Sequence, residues 1–332
     1  MRRWFWRGLF LAGGLGLLWL ALGQADLAAV WAALSGFGLA ASGLVLAVFF
    51  AAFLLDTASW QLMLPSVRCD MAWLYRLWKV RMVGEALNVI VPAGTLGGEP
   101  VKAVMLKKAW GIGYREGGAS LIMTKTVNLL SLLVFAGIGF LFLLASPAFG
   151  PEFRLLPGAG LLALSAGVIG FFAVQRWRLA SRLSRWVSKF SLGAGLAAFL
   201  HHIEAVDELF VAFYRDRAGR FAAAFALAFA NWLLGALELY VIAWFLGAPL
   251  TWAEAWLVEA LAQLVRAGAF FIPGALGASE AAMVVVFAAL TGRPELGLSI
   301  ALVRRGRELV WILWGLAIGG REGLSPKARR AP

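Results

Sequence analysis

Apolar residues run along this chain in long unbroken blocks rather than in the narrow stripe of a surface helix. Residues 39–63, 121–145, 155–174, 221–246 and 296–318 are each mostly apolar over about the 20 residues that a bilayer-crossing helix needs. Residues 8–23 form a shorter block with Arg2, Arg3 and Arg7 before it and Gln24-Ala25-Asp26 after it. It reads as a retained first span, with a cleaved signal peptide as the alternative. Six full spans are expected, with both termini in the cytoplasm.

Two further apolar stretches do not read as simple spans. Residues 75–110 are broken by Pro92, Gly94, Gly97 and Gly98, and residues 252–290 by Pro273, Gly274 and Gly277. Each is a pair of half-length segments around a break, the pattern of a re-entrant hairpin. Irregular backbone survives at membrane depth only where protein or a water-filled cavity satisfies its polar groups, so both breaks are expected inside the bundle. Pro92 precedes Glu99 by the same spacing as Pro273 precedes Glu280, with small residues between. Each hairpin lies between two spans, and the topology opens the first from the cytoplasm and the second from outside. That is the layout of an inverted-repeat transporter.

Composition narrows the class further. Of 332 residues, 62% are hydrophobic and 14% charged, against roughly 45–50% and about 25% in soluble domains. A soluble pair of domains and a disordered chain are excluded, and with Cys69 as the single cysteine so is a disulfide scaffold. The net charge of +12 is clustered: Arg68 to Arg115, Arg176 to Arg220 and Arg321 to Arg330, with few Lys or Arg between. This is the positive-inside pattern of a multi-pass protein of a bacterial-type cytoplasmic (inner) membrane, and not a nucleic-acid footprint. The expected layout is an all-α polytopic membrane protein with a single transmembrane domain. Residues 1–36 hold the first span and an external loop, and 37–145 the first repeat with hairpin 75–110. Residues 146–220 hold a connecting span and a basic amphipathic cytoplasmic segment. Residues 221–320 hold the second repeat with hairpin 252–290, and 321–332 a basic tail.

The stretch Gly84-Glu85-Ala86-Leu87-Asn88 through Pro92, Gly97, Gly98, Glu99 and Lys102, with Phe271-Ile272-Pro273-Gly274-Ala275-Leu276-Gly277-Ala278-Ser279-Glu280, carries a resemblance. It is similar to the flippase-like transmembrane domain of lysylphosphatidylglycerol synthases and their stand-alone relatives. Arg304-Arg305-Gly306-Arg307-Glu308-Leu309 looks closest to the hopanoid-associated, HpnL-type subgroup. The resemblance implies a membrane domain that moves or holds lipids. The full-length synthases continue into a soluble transferase domain, whereas here the sequence ends at Pro332, which speaks against aminoacyl transfer.

Charges inside spans are costly, at least ~2.5–3.5 kcal/mol each on insertion scales. In the last span Arg304, Arg305 and Arg307 precede Glu308. Arg304 either pairs with Glu308 and with Glu280 or Glu259 as structural glue, or the three guanidiniums outnumber the local carboxylates and hold an anionic head group through their planar forks. In the first repeat Glu85, Glu99 and Lys102 flank the break and Lys125 and Asn128 follow it. Glu99 and Lys102 neutralise each other at i,i+3 or line a site, and Lys125 snorkels to the edge or joins them. Glu238, near mid-span, pairs with Arg266 or a last-span arginine, or carries a proton.

No phosphate-binding loop, cofactor motif or metal cluster is evident, since His201 and His202 are adjacent. Residues 176–220 interleave Trp, Leu and Phe with Arg and Lys, as an interfacial helix on anionic lipid does. A lipid transporter or flippase-like factor is expected, for anionic phospholipid or polycyclic lipid, and no enzyme. The competitors are a scaffold that recruits lipid-synthesis enzymes and an intramembrane enzyme using Glu280 or Glu308 as base.

Overall fold

The computed structural model describes residue 13 and residues 15–90, 97–176, 217–269 and 272–321. Among them every regular element is helical. Helices α1 (Leu15–Gln24), α2 (Leu27–Ser35), α3 (Gly38–Leu62), α4 (Met71–Ile90), α5 (Glu99–Trp110) and α6 (Tyr114–Ala145) are followed by α7 (Pro151–Arg176). After residue 217 come α8 (Ala218–Phe245), α9 (Trp252–Gly268), α10 (Ala278–Thr291) and α11 (Pro294–Arg321). The sequence expectation of an all-α membrane protein holds.

Among the described residues, four helices are long and apolar enough to cross a bilayer: α3, α6, most of α7 (Pro151–Gly170), and α8. They coincide with four of the blocks read from the sequence. The first block continues past its end into a second, sharply turned helix. Helix α1 meets α2 at 89°, and α2 occupies residues expected as an external loop, with Asp26 accepting from the Ala28 and Ala29 amides at its start. Helix α11 has a span's length, 28 residues, but carries Arg304, Arg305, Arg307 and Glu308 in its middle.

Both broken stretches fold as a helix, a break and a shorter helix packed back against it. Helix α4 packs on α5, and α9 on α10. The two short helices end alike: Gly111 closes α5 and Gly292 closes α10, each left-handed with φ 71° and 68°, a conformation that costs glycine nothing. Where α4 and α5 converge, a Cβ on Gly98 would overlap the backbone carbonyl of Gly84. Pro92 and Gly94 lie outside the described residues, whereas Gly97 and Gly98 form the turn into α5. In the second break Pro273–Ala275 makes a 3-10 turn, with Gly274, Ala275 and Gly277 at positive φ.

Helices α3 and α8 form the largest helix pair, and Ser59 of α3 donates to the Ala224 carbonyl of α8. Across the halves, α4 lies against α11 as α9 lies against α6. Small residues make both seams close: Gly315 faces the Met82 carbonyl and the Ala86 methyl, and Gly139 faces Ala260. In lipid, where apolar side chains gain little by leaving the solvent, such backbone approach is a main source of helix association. The interfacial segment expected after residue 176, with His201 and His202, lies outside the described residues except at its ends.

Candidate functional site

The second break, α8, α9 and α11 meet around a cluster of ion pairs. Arg304 Nη2 lies 2.7 Å from Glu259 Oε2 of α9 and 3.7 Å from Glu238 of α8, and it also donates to the Gly235 carbonyl at 2.9 Å. Arg307 Nη1 grips both oxygens of Glu238, at 2.6 and 2.5 Å. Arg305 ties the break together: its Nε donates to Glu280 Oε1, Nη1 to Glu308 Oε2 at 2.6 Å, and Nη2 to the Gly274 carbonyl and Ser279 Oγ at 3.0 Å each. Glu280 in turn accepts the Gly277 amide at 2.8 Å, capping α10 with the oxygen that Arg305 Nε does not use. One carboxylate therefore fixes the end of the break and the arginine opposite it.

The spacing of charges explains why α11 presents them together. Arg304 and Glu308 sit one turn apart, yet Glu308 pairs with Arg305 instead, because Arg304 turns toward Glu259. The expectation that the three guanidiniums outnumber their carboxylates does not hold. Glu238, Glu259, Glu280 and Glu308 come to them from α8, α9, α10 and α11, and Glu238, Glu259 and Glu280 are 2–3% exposed. The surplus donor is elsewhere. Arg266, on the last turn of α9, lines the same cleft and makes no ion pair or hydrogen bond among the described residues. Arg304 Nε and Arg307 Nε are likewise buried without an acceptor among them. The cleft is further lined by Gln263, Ser279, Glu280 and Glu308.

A second cluster sits at the first break. Lys102 Nζ reaches Glu85 at 2.6 Å and Glu99 at 3.0 Å, and Lys125 reaches Glu99 at 3.3 Å. Asn88 bridges the break by donating to Glu85 and accepting the Gly98 amide at 2.6 Å. Arg81 joins Glu85 to Asp56 of α3, which Asn128 of α6 also holds at 2.8 Å. Thus Glu85, Glu99, Lys102 and Lys125, read from the sequence as one set, are brought together. Arg304, Arg305, Arg307, Glu308, Glu238 and Glu280 form the other.

Sequence reasoning missed Asp56 and Arg81. Asp56 sits inside the apolar block 39–63, where the cost of an unpaired charge was signal enough to look for a partner. Gln263, which donates to Glu259 at 2.7 Å, gave no sequence signal. Among the described residues no group of acidic, histidine or cysteine side chains is arranged to hold a metal.

Helices long and apolar enough to cross a bilayer, with a buried set of cross-helix ion pairs at the second break and a partly exposed one at the first, define an integral membrane protein with a polar interior. The chain belongs to the family described as the lysylphosphatidylglycerol synthase TM region, which matches residues 5–315. It is also similar to a UPF0104 membrane protein of Pyrococcus horikoshii, 24% identical over 234 residues, which cover 67% of this chain and 69% of that protein. No solved structure matches the chain.

Proposed function

We propose that this protein carries lipid head groups between the leaflets of a bacterial-type inner membrane, with both termini in the cytoplasm, and is not an enzyme. The observation that carries the reading is the cleft beside the second break. It offers the exposed guanidinium of Arg266 and the unsatisfied Nε–H of Arg304 within a family of lipid-associated membrane domains. A phosphate that accepts from these groups exchanges water for fixed donors, which lowers the cost of taking it into the membrane. The acyl or polycyclic tail stays in the hydrocarbon, so only the polar part has to cross. The opposed orientation of the hairpins read from the sequence, one break facing each side, is what alternating access needs. Hopanoid cargo is the finer version of this reading and rests on Arg304-Arg305-Gly306-Arg307-Glu308-Leu309. Lipid-synthesis enzymes on the same membrane are the expected suppliers of cargo.

The test is purified protein in liposomes containing labelled phosphatidylglycerol, phosphatidylethanolamine or a hopanoid. Movement between leaflets without chemical change is expected, and Arg266→Gln should slow it about tenfold while leaving thermal stability within ~0.5 kcal/mol of the parent. Chemically altered lipid instead points to an enzyme that uses Glu280 or Glu308 as base. No movement of any lipid leaves the scaffold reading.

A further inference from the structure

Away from the cleft, α3, α4 and α11 enclose a wedge of aromatic rings. Trp311 lies edge-on to Phe49 at 4.8 Å, Trp78 packs on Trp314 at 5.2 Å, and Phe50 stacks on Trp314 at 6.4 Å and 12°. Two arginines close its inner end. The Arg307 guanidinium sits 3.7 Å from the centre of the Phe49 ring and that of Arg81 4.5 Å from Phe53. Phe49 and Phe53 are one turn apart on α3, so the arginine of each ion-pair cluster rests against the same helix face. Trp78 and Arg81 stand at i,i+3 on α4, and Arg307 and Trp311 at i,i+4 on α11. Each tryptophan therefore lies one turn from its arginine.

The polar atoms of this wedge are all of one kind. Trp78 Nε1, Trp311 Nε1, Arg81 Nη1 and Arg307 Nε are buried and find no acceptor among the described residues. The two tryptophans are 7% exposed. Indole and guanidinium N–H groups donate and cannot accept, so no rotation lets them satisfy one another, and a buried donor left without a partner is destabilising. A group with several acceptor oxygens and no proton of its own satisfies all four. The outer end of the wedge is apolar and open: Phe50 is 37% exposed and Trp314 43%. In a membrane protein that face meets hydrocarbon.

We propose that the wedge is a second lipid site, a lateral port that takes a membrane phospholipid from the bilayer. The phosphodiester and adjoining ester oxygens accept from Trp78, Trp311, Arg81 and Arg307, and the acyl chains lie along Phe50 and Trp314. Charge favours phosphate there, because the cationic groups lie at the closed end and the carboxylates Asp56 and Glu238 sit behind them, engaged with Arg81 and Arg307. A lipid so placed touches an arginine of each half of the molecule. The port gives the lipid-handling reading its lateral access, and rests on that reading for its purpose, but occupancy itself does not require transport.

The test separates the two. Trp78→Phe and Trp311→Phe keep the aromatic bodies and remove the donors. In detergent, dioleoylphosphatidylglycerol retained by the double variant, counted by native mass spectrometry, should bind about tenfold more weakly than to the parent, with the melting temperature unchanged or raised. Unchanged lipid affinity overturns the port. A photoreactive residue in place of Phe50, in whole membranes, supplies a readout independent of that variant's folding. It should form phospholipid adducts well above those from the same residue at Leu162, a 73% exposed position on α7, and equal yields at the two positions overturn the proposal. Parent protein that forms the Phe50 adduct yet moves no lipid in liposomes refutes transport and leaves the port standing.

Discussion

At the residue scale, the buried charges behave as partners whose removal is felt one at a time. Glu259 is 2% exposed and held by Arg304 and Gln263. Changing Arg304 to Gln strands that carboxylate in a low-dielectric interior, and breaking a buried pair from one side costs roughly 3–5 kcal/mol. The double change Arg304→Gln with Glu259→Gln leaves no charge alone and should recover much of the loss, so the coupling is large. Thermal unfolding in detergent measures both. Equal melting of single and double variants refutes the pairing. The same experiment with Glu308→Gln as second change should show little recovery, because Glu308 belongs to Arg305 and not to Arg304.

At the element scale, the two hairpins depend on backbone contact that side chains forbid. Helix α5 starts where Gly98 meets the Gly84 carbonyl and where the Gly98 amide donates to Asn88 Oδ1. A methyl group at Gly98 has backbone as its obstacle, which cannot turn aside as a flexible side chain can. Gly98→Ala should therefore destabilise by about 1–3 kcal/mol through forced separation of α4 and α5. Gly118→Ala, on α6 with open space around its Cβ position, should be neutral or slightly stabilising by helix propensity. Melting temperatures of the two variants check the contrast, and equal shifts would remove the close-packing account.

At the scale of the whole molecule, the matched packing of α4 on α11 and α9 on α6 invites a topology experiment. In a Cys69→Ser background, single cysteines at Lys108 and Gly292 should label with impermeant reagents from the cytoplasm and from outside respectively. Cysteines at Gly94 and Ala275, at the two breaks, should label poorly with bulky reagents from either side. Gly292 labelling from the cytoplasm would refute the opposed orientation of the hairpins and, with it, alternating access through two breaks.

Membrane class, the limits of α3 and α8, the apolar cores of α6 and α7, and the places of both breaks were legible in the order of residues alone. Length of apolar run, Gly and Pro position and the placement of basic clusters are local quantities, and the bilayer acts on each segment almost independently. Partnership between the charges was legible only as alternatives for Arg304 and Glu238, and not at all for Asp56 and Arg81. Arg307 finds Glu238 at a separation of 69 residues, and Arg81 finds Asp56 at 25, pairings that local spacing such as the i,i+4 relation of Arg304 and Glu308 does not disclose. The same holds for the bend between α1 and α2 and for the aromatic wedge, whose rings come from three helices. Lipid offers apolar faces no preference among neighbours. Which helices meet, and so which charges are answered and which are left as donors, is decided by close backbone approach and by polar contacts that exist only once the bundle has assembled.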